Sequence, residues 1–185
     1  CAVFLDQIAQ AGCERVTIHA RKAWLKGLSP KENRDIPPLD YDLVHKMKAQ
    51  FPQLHVSING GIDTLDLAKA HLAAGLDGVM IGRAAYHHPT DILAAADPEI
   101  FGTGTVSDPM DVVQDMVPYI QAHLDQGGRL HQVTRHMLGL FSGRPGARAW
   151  RRTLSEGATR DGAGVDLVHE ALAQVQPLAV DAATV

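Results

Sequence analysis

The chain has 185 residues, 45% of them hydrophobic and 21% charged, with a formal net charge of −4. That is an ordinary soluble composition with enough apolar content for a real core, in one domain or in one domain plus a small appendage. No apolar run approaches the roughly 20 residues a membrane helix needs, and no charged start leads into an apolar stretch, so spanning and secretion are set aside and the cytoplasm is the expected location.

The chain opens on Phe4, Leu5 and Ile8 in helical spacing. A strand is predicted at Arg15-Val16-Thr17-Ile18-His19, with Cys13 before it read as a small buried hydrophobe. A long polar segment follows, Ala20 to Asp40, carrying Lys22, Lys26, Lys31, Arg34 and the Pro37-Pro38 pair. Loops of that length inside a compact α/β unit are usually functional. Tyr41 to Phe51 is predicted as a helix with Leu43, Val44, Met47 and Phe51 along one face, ended by Pro52. A second strand, His55 to Asn59, runs into Gly60-Gly61, and Asp63 is expected to cap a helix that turns Leu65, Ala68 and Leu72 inward and stops at Gly75. The third strand is predicted over Gly78-Val79-Met80-Ile81-Gly82, with Arg83 directly after it. Three short strands rich in β-branched residues, each following a helical stretch, read as βα units feeding a parallel sheet.

After Asp97 the pattern changes. Gly102 to Pro109 reads as a linker, and the period beyond it is helical. Asp108-Pro109 starts a long helix with Val113, Met116, Val117, Ile120 and Leu124 on one side, Pro118 as a kink and Gly127-Gly128 as the stop. Leu130, Val133, Met137 and Phe141 mark a second helix. Pro145 opens a third with Ala147, Trp150 and Leu154 inward, and Val165, Val168, Leu172 and Val175 mark a fourth. Four amphipathic helices with short connections make a small bundle. The expected organisation is an α/β unit over residues 1–97, a linker over 98–108, a helical domain over 109–176 and a loose tail over 177–185.

Three parallel strands cannot close a barrel, and an open parallel sheet leaves an edge and apolar surface exposed. The expected fold is therefore α/β: the C-terminal portion of a TIM (β/α)8 barrel followed by an all-α bundle, within a longer protein whose first barrel strands lie elsewhere.

The tips of the second and third strands carry the sharpest chemistry. Asn59-Gly60-Gly61 and Gly82-Arg83 each stop an apolar run on small or polar residues, which frees backbone N–H groups at a strand's C-terminal end. In an eight-stranded α/β barrel, the loops after the last two strands are where phosphate binds. Arg83 would then be a bidentate cation on that phosphate, and a helix start is a poor place for a cation unless an anion is present. Plain strand-to-helix turns remain the alternative. His19 ends its strand where barrel active-site groups sit, against the alternative of a structural histidine.

Cys1 and Cys13 make neither a disulfide framework nor a C-x-x-C pair, and the histidines form no H-E-x-x-H, so no metal site is expected. Charge is segregated along the chain. Arg129, Arg135, Arg144, Arg148, Arg151, Arg152 and Arg160 fall in one block whose only acid is Glu156, the electrostatic footprint of a polyanion binder. Arg148, Arg151 and Arg152 share one helical face, away from Trp150.

Several strings then resemble a known family in chain order. They are His19-Ala20-Arg21-Lys22-Ala23, Gly27-Leu28-Ser29-Pro30-Lys31-Glu32-Asn33-Arg34, Pro37-Pro38-Leu39-Asp40-Tyr41, Ile58-Asn59-Gly60-Gly61-Ile62, His136-Met137-Leu138-Gly139-Leu140-Phe141 and Pro145-Gly146-Ala147-Arg148. Together they resemble the tRNA-dihydrouridine synthases of the A type. The resemblance implies an FMN-containing barrel joined to a helical tRNA-binding domain. It implies NADPH as reductant and reduction of the C5–C6 bond of a D-loop uridine, at position 20 or its neighbour. Carried over, His19 contacts the flavin; Asn59, Gly60, Gly61, Gly82 and Arg83 hold the FMN phosphate; and Lys31, Arg34, Arg148 and Arg151 touch tRNA.

The chain departs from the family in one respect. The Asn-x-Gly-Cys-Pro motif that carries the family's proton-donating cysteine is missing, as are the glutamine and lysine that contact the flavin ring, so no catalytic residue is assigned and the chain alone is expected to be inactive. Two other readings stay open: an FMN-dependent barrel oxidoreductase of a small molecule, such as a dihydroorotate dehydrogenase, and a non-catalytic RNA-binding module. The sequence carries no reading of oligomeric state.

Overall fold

The structure, a computed structural model, describes residues 1–24 and 26–177. Residues 178–185 of the expected tail lie outside the described residues. The chain divides into two compact units, residues 1–84 and 85–185, a division upstream of the boundary expected at 97.

The first unit is built from α1 (Ala2–Gln10), β1 (Arg15–His19), α2 (Tyr41–Gln50), β2 (His55–Asn59), α3 (Leu65–Ala73) and β3 (Gly78–Met80). The strands form one parallel sheet in the order β1-β2-β3. Side chains alternate between the two faces of a strand. One face therefore presents Val16, Ile18, Val56, Ile58 and Val79 to Leu5 of α1, Val44 and Met47 of α2 and Ala68 of α3, and this is the core of the unit. The other face carries Thr17, Ser57 and Gly78 in one row and His19, Asn59 and Met80 in the next. The third strand is shorter than the run to Gly82 and ends at Met80.

Local chemistry sets the helix bounds. Asp40 caps α2 by accepting from the Leu43 N–H at 3.0 Å. At α3 the cap is Thr64, whose hydroxyl accepts from the Leu67 N–H at 3.2 Å, in place of the expected Asp63. The starts of β2 and β3 are fastened by Asp77, which accepts from the Val56 N–H at 2.8 Å and pairs with Lys48 Nζ at 2.7 Å. The Lys48 ammonium, followed by the Val56 N–H, holds the Asp77 carboxyl below the usual carboxylate range.

The short α4 (Arg83–His87) straddles the division, and the second unit continues through α5 (Pro89–Ile92), a π turn at Asp97–Phe101, α6 (Pro109–Asp125), α7 (Leu130–Thr134), α8 (Ala147–Gly157) and α9 (Val165–Leu172). Asp108 caps α6 through the Met110 N–H at 2.9 Å, as its place before Pro109 suggests. The helix expected to run through Phe141 is regular only to Thr134, whose hydroxyl bonds back to the Leu130 carbonyl at 3.2 Å, and turns continue from there. Trp150 is fully buried in this unit's core, edge-on to Phe141 with ring centroids 5.0 Å apart, and its indole N–H reaches the Met137 carbonyl at 3.2 Å. No helix among the described residues is long and apolar enough to cross a membrane.

Candidate functional site

The C-terminal tips of the three strands are joined by side chains. In register, His19 stands beside Asn59 and Asn59 beside Met80. Asn59 Nδ2 donates to the Met80 carbonyl at 2.8 Å, while Asn59 Oδ1 lies 2.6 Å from His19 Nδ1. With the amide nitrogen committed to a carbonyl, the amide oxygen must accept, so His19 carries its proton on Nδ1 and turns Nε2 away from this bond. One asparagine thus spans the sheet where it opens.

Immediately beyond it, Gly60 and Gly61 take φ of +115° and +67°, a region that side-chain-bearing residues rarely adopt. A Cβ at Gly61 would meet Leu39 Cδ1 at 2.5 Å, and one at Gly60 would meet His19 Cε1 at 3.1 Å. The turn is held by Tyr41, whose hydroxyl donates to the Gly60 carbonyl at 3.0 Å. Behind Tyr41 lies a histidine pair. His71, only 6% exposed, packs edge-to-face with Tyr41 at 4.7 Å and faces His45 across 3.2 Å between ring nitrogens. Burial, and then the neighbouring His45, push the His71 pKa below its ordinary value.

The third tip is open. A Cβ at Gly82 would meet nothing within 4 Å, and among the described residues no acceptor takes the N–H groups of Gly60, Gly61 or Gly82. Next to Gly82, the Arg83 guanidinium reaches Asp35 Oδ1 at 2.5 Å and the Arg34 carbonyl at 3.4 Å. Arg83, before all other causes, lowers the Asp35 pKa, so the carboxylate stays ionised. Both partners are about half exposed, so the pair orients the arginine more than it stabilises the fold.

The loop that supplies Asp35 is ordered by its own polar residues. Ser29 and Glu32 form a reciprocal cap: the Ser29 N–H donates to the Glu32 carboxylate at 2.8 Å, and the Glu32 N–H donates to the Ser29 hydroxyl at 3.3 Å. Asn33 ties the loop to Trp24, donating to its carbonyl at 3.0 Å and accepting from its N–H at 2.8 Å. Arg21 donates to the carbonyls of Asp35 and Pro37. With Ser29, Glu32 and Asn33 turned to backbone, Lys31 and Arg34, which flank Glu32 and Asn33, are left exposed.

In the second unit, α8 buries Ala147, Trp150, Leu154 and Gly157 and exposes Arg148, Arg151 and Arg152. Among the described residues these three arginines have no ion-pair partner. The rest of the arginine block is less free than its sequence suggests. Arg129 pairs with Asp161 at 3.0 Å, Arg144 pairs with Asp108 at 3.4 Å, and Arg135 Nε donates to His136 Nε2 at 3.0 Å.

Of the residues singled out from sequence, His19, Asn59, Gly60, Gly61, Gly82 and Arg83 lie at the ends of the strands or directly beyond them. Lys31 and Arg34 share the neighbouring loop, and Arg148 and Arg151 share one helix face. Asp35, Leu39 and Tyr41 are participants that sequence reasoning missed. Asp35 sits 48 residues from the arginine it orients, and such a separation leaves no local pattern to read.

The family model described as dihydrouridine synthase matches residues 1–176. The chain is 55% identical over 174 residues to a protein of Shewanella oneidensis named tRNA-dihydrouridine(20/20a) synthase, covering 94% of this chain and 51% of that one. It is 58% identical over 171 residues to a protein of the same name from Salmonella typhimurium, covering 91% and 51%. With a third of that name, from Vibrio cholerae, the identity is 53% over 174 residues, covering 93% and 53%. The chain therefore spans about half the length of the curated relatives it matches.

Proposed function

The chain belongs to the dihydrouridine synthase family, and from that premise we propose that it forms the second half of a flavin-dependent tRNA-dihydrouridine synthase. In this reading residues 1–97 supply the last three βα units of a TIM barrel, residues 109–176 form a helical tRNA-binding domain, and the proton-donating cysteine lies outside these 185 residues. The enzyme works in the cytoplasm, takes electrons from NADPH and reduces a D-loop uridine at position 20 or its neighbour.

The residues fit flavin mononucleotide. Three glycines with N–H groups free of partners among the described residues, beside one guanidinium and with open space at Gly82, form the donor set that a phosphomonoester needs. Gly60, Gly61, Gly82 and Arg83 would hold the phosphate, with Asn59 fixing the strand tips that carry them. His19 would meet the ring system, oriented by Asn59. When bound, the flavin supplies the hydride chemistry, which no side chain can.

The chain's other task is to hold RNA. A uridine inside folded RNA must be swung out of its stack to be reduced, and the phosphates on either side must be gripped while it is out. Lys31 and Arg34 on the loop and Arg148 and Arg151 on α8 are exposed cations suited to that grip. The small-molecule oxidoreductase reading gives no use to an unpaired arginine face, and the binding-module reading gives none to the strand-tip donors.

The observation that carries the proposal is the convergence of His19, Asn59, the glycine turn and Arg83 at adjoining strand tips in a chain matched by this family over residues 1–176. The test is to incubate the full-length enzyme with FMN, NADPH and an unmodified transcript of transfer RNA. A two-hydrogen mass gain on one D-loop uridine is expected, and a transcript returned unchanged would remove the assignment.

A further inference from the structure

The loop that carries Lys31 and Arg34 and the tip of β3 are joined by one side-chain contact. Arg83 stands directly after Gly82, Asp35 directly after Arg34, and the Arg83 guanidinium spans both loop residues, with Nη1 on the Asp35 carboxylate at 2.5 Å and Nη2 on the Arg34 carbonyl at 3.4 Å. A guanidinium offers five N–H donors in a rigid plane, so two on the loop leave three for a second anion. The same group can therefore hold loop and phosphate together.

We propose that Asp35 is a positioning residue that couples the two ligands of the enzyme: through Arg83 it makes the presentation of Lys31 and Arg34 to RNA depend on a phosphate at the strand tips. This rests on the reading of Gly60, Gly61, Gly82 and Arg83 as a phosphate site.

The surroundings support the coupling. The loop is stiffened by Ser29 with Glu32 and by Asn33 with Trp24, so displacement at Asp35 is carried along the short 3-10 turn Glu32–Arg34 instead of being absorbed. Arg21 holds the carbonyl of Asp35 at 3.3 Å and thereby ties that residue to the end of β1 as well. A dianion beside Arg83 fixes the guanidinium, a fixed guanidinium fixes Asp35 and the Arg34 carbonyl, and the Arg34 side chain leaves from that backbone. Coupling between two ligands is reciprocal, so RNA on the loop must tighten the phosphate by the same factor.

The experiment measures the affinity of the full-length enzyme for transfer RNA in three states: stripped of flavin, loaded with FMN, and loaded with riboflavin, which lacks the phosphate. FMN is expected to tighten RNA binding by about fivefold or more, and riboflavin to leave it within about twofold of the stripped enzyme. In Asp35→Asn, compared stripped and at saturating FMN, the FMN effect should fall to within about twofold of none. Arg83→Lys keeps the charge but not the fork, and its FMN effect should fall likewise. An Asp35→Asn enzyme whose FMN effect equals that of the wild type overturns the inference. So does an Asp35→Asn enzyme that loses RNA affinity equally in all three states, since that marks a purely structural role. Failure of the phosphate site itself reads differently, as undiminished flavin retention in Arg83→Ala.

Discussion

His19 and Asn59 meet across neighbouring strand tips with Nδ1 and Oδ1 2.6 Å apart, and the orientation of that contact is dictated by the Met80 carbonyl on the far side of Asn59. Asn59→Ala removes both bonds at once. The expected cost is about 1–3 kcal/mol of unfolding free energy in urea denaturation, at roughly 1 kcal/mol for each bond. Flavin retention should fall with it, because the tips of β2 and β3 are no longer tied. A variant with wild-type flavin content would show that Asn59 is dispensable to the site.

Arg83→Ala leaves the three glycine donors without their cation. A charge-assisted contact contributes about 1.5–3 kcal/mol, so flavin affinity should drop roughly ten- to hundredfold, read as flavin absorbance per protein after gel filtration. Absorbance equal to the wild type would count against a phosphate at this place.

Arg148→Ala and Arg151→Ala should each weaken transfer RNA binding and lower the slope of log affinity against log salt by about 1, while flavin content stays unchanged. Both side chains are exposed and lie in the second unit, so stability should hardly move. An unaltered salt slope would mean that α8 does not meet the phosphate backbone.

His71 makes the first unit sensitive to acid. Its pKa is lowered in the fold, by burial first and by His45 second, so the unfolded chain takes up the proton near the ordinary value of 6.5 while the folded chain resists it. Its contribution to stability is thus present above that value and is lost as the pH falls through the folded pKa. Melting temperature should fall between about pH 7.5 and pH 5.5 in the wild type and fall less in His71→Leu. Equal falls in the two proteins would place the acid sensitivity elsewhere.

Much of this fold could be read from the sequence because its signals are local. Arg15–His19 and His55–Asn59 are strands over the predicted residues, since β-branched runs beside helical periods leave few other readings. Asp108 before Pro109 marks the start of α6 for the same reason. What could not be read depends on distant partners. Asp63 and Thr64 are both able caps, and the backbone entry into α3 selects Thr64. Periodicity continued through Met137 and Phe141, but a Cβ at Gly139 would meet the His87 carbonyl at 2.6 Å, and the chain there runs as turns instead of a helix. Asp161 and Asp108 neutralise Arg129 and Arg144 from outside the arginine block, so a charge count along the chain overstated the free cations. At the candidate site, the glycines and Arg83 announced themselves, whereas Asp35 and Tyr41 became visible only once Arg83 and Gly60 were seen to reach them.

Gly146, at φ of +90° just before α8, has Val175 Cα 2.7 Å from where a Cβ would stand and the Gln174 carbonyl oxygen closer still, while the Gln176 N–H donates to the Pro145 carbonyl at 3.2 Å. The segment after α9 therefore serves as a buttress for the first turn of the arginine helix. Trimming the protein a few residues short of Val175 would strip no cation, yet would let Arg148 and Arg151 drift from the spacing at which they face a polyanion. For anyone shortening this protein, the permissible end point is set by a glycine some thirty residues earlier.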